Sequence, residues 1–223
     1  MNPLELGNAL NDGFIDENGL VCPHKGDKNS QNGVMFSSIF NILTESYRTD
    51  LDLAISRCFK ETGLLMRTPD NTGGQEQFDN YFTLAVASII LGRTNWPRDI
   101  LRYGVKHFFV FNTDGKLEFQ DWLGRFVYIW PMMFVAAFPR TKWLMWPIIS
   151  LFGLFQKAGK IEEVGSSSLQ LQWVYLMGHK KLYGKSLYWR WYRKMEQLNG
   201  GYPVRKMIST YYGEAHPYTR AFY

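Results

Sequence analysis

From Val34 onward the apolar residues of this chain fall at helical spacing. Phe36, Ile39, Phe40, Leu43 and Tyr47 stand at i, i+3, i+4, i+7 and i+11, which lays one stripe along a helix. A second helix is predicted from Asp50, whose side chain can cap it, with Leu51, Ile55, Cys58 and Phe59 on the buried face and Gly63 as the stop. A short join makes two such helices antiparallel, an αα-hairpin. A turn-rich stretch with Pro69, Asp70, Asn71, Gly73 and Gly74 follows. The third helix then buries Phe78, Tyr81, Phe82, Ala85 and Ile89 and ends at Gly92. Asn95-Trp96-Pro97 opens the fourth, because proline's fixed φ and missing N–H suit a first turn. It is expected to run through Ile100, Leu101, Phe108 and Phe109 to a turn at Asn112-Thr113-Asp114-Gly115, completing a second hairpin.

Two mostly apolar runs come next, Phe126 to Phe138 and Trp143 to Phe155, separated by Pro139-Arg140-Thr141-Lys142. A bilayer-spanning helix needs about 20 consecutive apolar residues, more than either run holds, and Pro131 and Pro147 interrupt them. The runs are expected to form a buried or partner-facing helical hairpin rather than a membrane hairpin. Gly165-Ser166-Ser167-Ser168 starts a helix carrying Leu169, Trp173, Leu176 and Met177. After Gly184 comes a basic aromatic helix with Arg190, Arg193 and Lys194, and Pro203 to Tyr212 forms a short terminal one. Period-two alternation is absent, so the fold class is all-α, as antiparallel helical hairpins in a single domain. Residues 1–33, rich in Asn, Asp and Gly, form a loop-rich N-terminal arm, and 34–223 the helical domain.

Composition adds a charge split to this picture. The 223 residues are 46% hydrophobic and 17% aromatic, enough for a sizeable core, and the net charge is +5. Residues 1–120 hold 11 Lys and Arg against 15 Asp and Glu, a net of −4, whereas 121–223 hold 14 against 5, a net of +9. A dipolar body of this kind is suited to head-to-tail association or to an acidic partner. Cys22 and Cys58 are too few for a disulfide scaffold and point to a reducing compartment. The opening MNPLELGNALNDGF has no basic start followed by an apolar core, so the protein is expected to act where it is made.

Candidate chemistry centres on the start of the third helix. Glu76 and Asp79 lie three apart on one helix face beside Tyr81, and Asp12, Asp16 or Glu17 of the arm could complete a pair of carboxylates of the kind glycoside cleavage needs. Acids in a first turn are equally favoured by the helix dipole alone. His24, His107, His179 and His216 form no ligand spacing, and DGFIDENG lacks the spacing of a calcium loop, so no metal is expected. No phosphate-cradling, dinucleotide or nucleophile-elbow motif occurs, and no cofactor is expected. The basic aromatic helix could meet nucleic acid, but basic stems also pack over aromatics, and no reader module surrounds it.

Three stretches, DGFIDENGLVCPHKGDKNSQNGVMFSSIF, RCFKETGLLMRTPDNTGGQEQFDNYFTLAVAS and YYGEAHPY, together resemble a family of tailed-bacteriophage structural proteins. The positions carrying the likeness are Glu17 to Leu20, Cys58 with Gly63 and Leu64, Asp79 to Tyr81, and His216-Pro217. The resemblance implies a virion component, a tail or capsid-vertex accessory, that is assembled in the host cytoplasm. Its partners would be other virion proteins, with several copies or a homo-oligomer in the particle. Trp130, Trp143 and Trp146 on the aromatic hairpin and Arg190, Arg193 and Lys194 on the basic helix are then the candidate interface residues. The hairpins are also similar to part of the (α/α) toroid of certain glycosidases and polysaccharide lyases. That likeness supplies the alternative, a small carbohydrate-active enzyme using Glu76, Asp79 and Tyr81. Phe78-Asp79-Asn80 departs from the family pattern, which has a His or Asp before the second acid, and that weakens the catalytic pair.

Overall fold

The computed structural model describes residues 15–22, 33–44, 49–66, 68–69, 78–109, 129–158 and 166–184. In order these form α1 (Gly33–Thr44), α2 (Thr49–Arg57), β1 (Phe59–Glu61), β2 (Leu64–Leu65), α3 (Phe78–Leu91) and α4 (Asn95–Lys106). After them come α5 (Trp130–Ala137), a 3-10 turn (Pro139–Thr141), α6 (Lys142–Ala158) and α7 (Ser166–Tyr183). The described part is mostly helical, as the periodicity predicts. The turn at Asn112–Gly115, the basic aromatic helix, the terminal helix and the rest of the arm lie outside the described residues.

α3 is the hub. Eight consecutive residues, Tyr81 to Ser88, are buried, so the helix is enclosed on all sides rather than along the single stripe expected. α1, α5 and α7 supply most of that enclosure, and α4 adds a smaller contact. Sequence neighbours do touch, yet the two largest interfaces join α1 to α3 and α3 to α7. At the crossing of α7, Gly178 sits where a Cβ would come within 3.1 Å of the Val86 side chain, so glycine sets how closely the two helices approach.

Enclosing α1 and α3 buries polar groups, and two of them meet backbone donors. The Asn80 side-chain oxygen accepts the amide of Met35 at 2.9 Å. Met35 stands in the first turn of α1, where amides have no intrahelical partner, so Asn80 caps one helix from another. Ser37 Oγ accepts the amide of Val21 at 2.9 Å and ties the arm to α1. Within the arm, Asp16 Oδ1 accepts the amides of Asn18 and Leu20, both at 2.9 Å, around Gly19 at φ +80°. Leu20, Val21 and Cys22 then enter the core, so this part of the arm is integral to the body.

The second helix ends earlier than predicted. Instead of running to Gly63 it stops at Arg57, and the chain makes an antiparallel two-stranded hairpin, Phe59 opposite Leu65 and Glu61 opposite Leu64. Period-two reasoning could not find strands of three and two residues. Gly63 is the turn residue at φ +93°, and a Cβ there would fall 2.3 Å from the Asp99 carbonyl oxygen and 2.6 Å from Tyr103 Cβ. The hairpin thus rests directly on α4. The amide of Leu65 donates to the Tyr81 hydroxyl at 3.0 Å, joining it also to α3.

α4 also stops short, at Lys106, and Phe108 and Phe109 turn left-handed at φ 52° and 58°. This conformation costs about 1–2 kcal/mol per non-glycine residue. Part of the cost is offset because the turn seats the Phe109 ring edge-on against Trp130, with centroids 4.6 Å apart, and lets its amide donate to Gly104 O at 2.6 Å.

Two substitutions test this framework. Gly63→Ala forces a left-handed alanine against the backbone of α4 and is expected to destabilise by about 2 kcal/mol or more in denaturant unfolding. Asn80→Ala leaves the buried Met35 amide unpaired and is expected to cost about 1–3 kcal/mol. A midpoint unchanged in either variant would contradict the packing described.

Candidate docking surface

The two apolar runs resolve into faces of opposite character. α5 is buried almost throughout, and Trp130 is only 7% exposed. It serves the core, which corrects its place among the interface candidates: a run of apolar residues does not by itself reveal which end faces inward. α6 differs, because its outer face is open. Trp143 is 66% and Leu144 70% exposed, and Trp146, Ile148 and Leu151 are exposed beside them, with Phe138 just before the helix.

The inner side of α6 fixes this presentation. Tyr175 of α7 donates its hydroxyl to Ile149 O, and Tyr183 donates to Lys142 O, each at 2.6 Å. The Tyr183 ring also lies 5.6 Å from that of Trp143, and Lys142 Nζ stands 5.5 Å from the Trp143 centroid. Burial pushes the Tyr183 hydroxyl up to about 12, keeping it a donor well into alkali. Pro147 within α6 lacks an N–H and stands on the exposed side. The apolar face is therefore held rigidly by hydrogen bonds on the opposite side of the helix.

A groove of about 610 Å³ lies between α4 and α5. Leu101, Val105, Phe109, Phe134 and Phe138 are its apolar lining, and the exposed Arg98, Arg102 and Lys106 are its rim. Arg98 Nε donates to Ala137 O at 3.2 Å, and its guanidinium carbon is 5.9 Å from the Phe138 ring. Arg102 pairs with Asp99 at 3.0 Å on the exposed surface. The spacing of these cations was legible in the sequence, but nothing there indicated the aromatic wall that α5 sets opposite them.

The acid–base candidates fall elsewhere. Tyr81 is buried, with its hydroxyl accepting the Leu65 amide. Asp79 stands partly buried in the first turn of α3, and its carbonyl accepts from the Thr83 hydroxyl at 2.7 Å. Asp16, a possible partner acid from the arm, is occupied in shaping its own turn. Glu76, Arg190, Arg193 and Lys194 lie outside the described residues. Among the described residues no three His, Cys, Asp or Glu side chains converge as a metal site, and no helix is long and apolar enough to cross a membrane.

No family model, curated protein or solved structure matches the chain.

His179 gives this region a pH dependence. It is buried on α7 between Tyr175 and Tyr183, with centroids at 5.9 and 5.0 Å, and desolvation lowers its pKa below 6.5. The unfolded chain therefore binds the proton first as pH falls, so stability is full above about 6.5 and declines below it. His179→Gln should flatten the unfolding midpoint between pH 7 and pH 5 relative to wild type, each pH lying on one side of that value. Equal slopes for the two proteins would show that His179 is not the group responsible.

Proposed function

We propose that this chain is a structural component of a tailed-bacteriophage virion, a tail or capsid-vertex accessory that acts by docking against other virion proteins. The observation that carries the docking role is the exposed apolar face of α6 around Trp143 and Leu144. A contiguous apolar surface of this kind marks a protein interaction site in a folded body, and aromatic anchors contribute most to such contacts. The sequence likeness supplies the virion setting, and the opposed net charges of the two chain halves suit several copies meeting head to tail. In this reading the helices build one partial (α/α) toroid-like domain with residues 1–33 as its arm. The groove between α4 and α5 is lined by apolar and cationic side chains with no carboxylate among them, which does not support the carbohydrate-active alternative.

The test pairs Trp143→Lys with Leu144→Lys in the phage that encodes the chain. Both positions are exposed, but Trp143→Lys also removes the ring contact with Tyr183, so the purified variant should keep its helical circular dichroism and lose about 0.5–1.5 kcal/mol of stability. Mass spectrometry of purified particles is expected to find the wild-type chain and to find the variant depleted at least about tenfold, as loss of a hot-spot pair predicts. Particles that lack the wild-type chain, or that retain the folded variant in full, would refute the proposal.

A further inference from the structure

The groove between α4 and α5 adjoins the α6 face at Phe138, but its cations and the rest of its lining lie on α4 and α5, and its reading does not depend on the virion setting. Arg98, Arg102 and Lys106 stand at i, i+4 and i+8, and Leu101 and Val105 stand four apart one row over, with Phe109 continuing the apolar lining from the left-handed turn beyond the helix end. Four helical residues rise about 6 Å, so the three cations are spread over about 12 Å of the groove's length. A ligand with one charged head and an apolar tail would be met by cations gathered at one end. Here a cation recurs at each turn beside a continuous apolar row, and the complementary shape is a rod bearing an acid at each turn beside an apolar stripe.

We propose that this groove binds an acidic amphipathic helix of a partner protein, with the partner's apolar stripe on Leu101, Val105 and Phe134 and its carboxylates along the Arg98–Lys106 rim. Charge complementarity is the ground for this occupant: the rim is wholly cationic, and the one nearby carboxylate recorded against it, Asp99, is held to Arg102 in an exposed pair that a partner's acid can replace. Val105, an apolar lining residue that is 67% exposed, gains by being covered. Recognition follows the helix-in-groove mode, in which anchors at i, i+3 and i+4 fill an apolar trough and flanking charges set orientation.

The experiment titrates the full chain with a labelled helical peptide of about fifteen residues, long enough to span the rim, carrying Glu at every fourth position beside a Leu stripe. Fluorescence anisotropy is expected to show saturable binding that weakens as salt rises. The double variant R102E and K106E should bind this peptide at least about tenfold more weakly and should instead bind the same peptide with Lys in place of Glu. The milder pair R102Q and K106Q should weaken the Glu peptide without gaining the Lys one. A misfolded protein cannot produce that gain of binding, so the swap separates recognition from stability. Absence of saturable binding by the wild type would overturn the proposal, as would indifference of both proteins to the peptide's charge. So would dodecanoate occupying the groove where the peptide does not, since that would make the site one for a single-headed amphiphile.

Discussion

Enclosure of α3 is the constraint from which the rest follows. A helix buried from Tyr81 to Ser88 on every side has no face on which to leave a polar group in water, and burying an unpaired donor or acceptor costs more than most packing contacts return. Three of the polar side chains on it are accordingly directed at backbone. Asn80 takes the orphan amide of Met35, Thr83 donates to the carbonyl of Asp79, and Tyr81 accepts from Leu65. Each of these bonds also joins or stiffens an element, so satisfying the buried groups and locating α1 and the β1–β2 hairpin around the hub are the same event.

The same economy explains why the chain's special backbone sites fall where they do. Gly63 permits the hairpin to rest on the backbone of α4, and Gly178 lets α7 approach Val86. The left-handed turn at Phe108 and Phe109 spends conformational energy to put one aromatic ring against Trp130 while leaving the other 83% exposed. That turn also closes the end of α4 that carries the groove, so the strain serves the shape of a surface as well as the core.

What remains uncovered after the hub is enclosed is decided by the packing. α5 and α6 come from two similar apolar runs, yet one is consumed by the core and the other keeps its outer face open. The hydrogen bonds from Tyr175 and Tyr183 to the carbonyls of Ile149 and Lys142 hold that open face in place. An apolar surface held in one place loses little conformational entropy when it is covered.

By itself the sequence determined the helical class, the start of α4 at Asn95-Trp96-Pro97, the stop of α3 at Gly92 and the core positions Phe36, Ile39, Phe40 and Ile55, because periodicity, proline and glycine act within a few residues. It also put Asp79 and Tyr81 beside a turn-rich loop. Only the tertiary structure decided that the Tyr81 hydroxyl accepts the Leu65 amide, that Asp16 shapes a turn, and that Trp130 is core while Trp143 is surface. It alone revealed the short hairpin after Arg57 and the aromatic wall opposite Arg98, Arg102 and Lys106. The physical reason is range: a residue's spacing states which side of its own helix it occupies, but whether that side meets water, a neighbour or a buried amide depends on chain many residues distant.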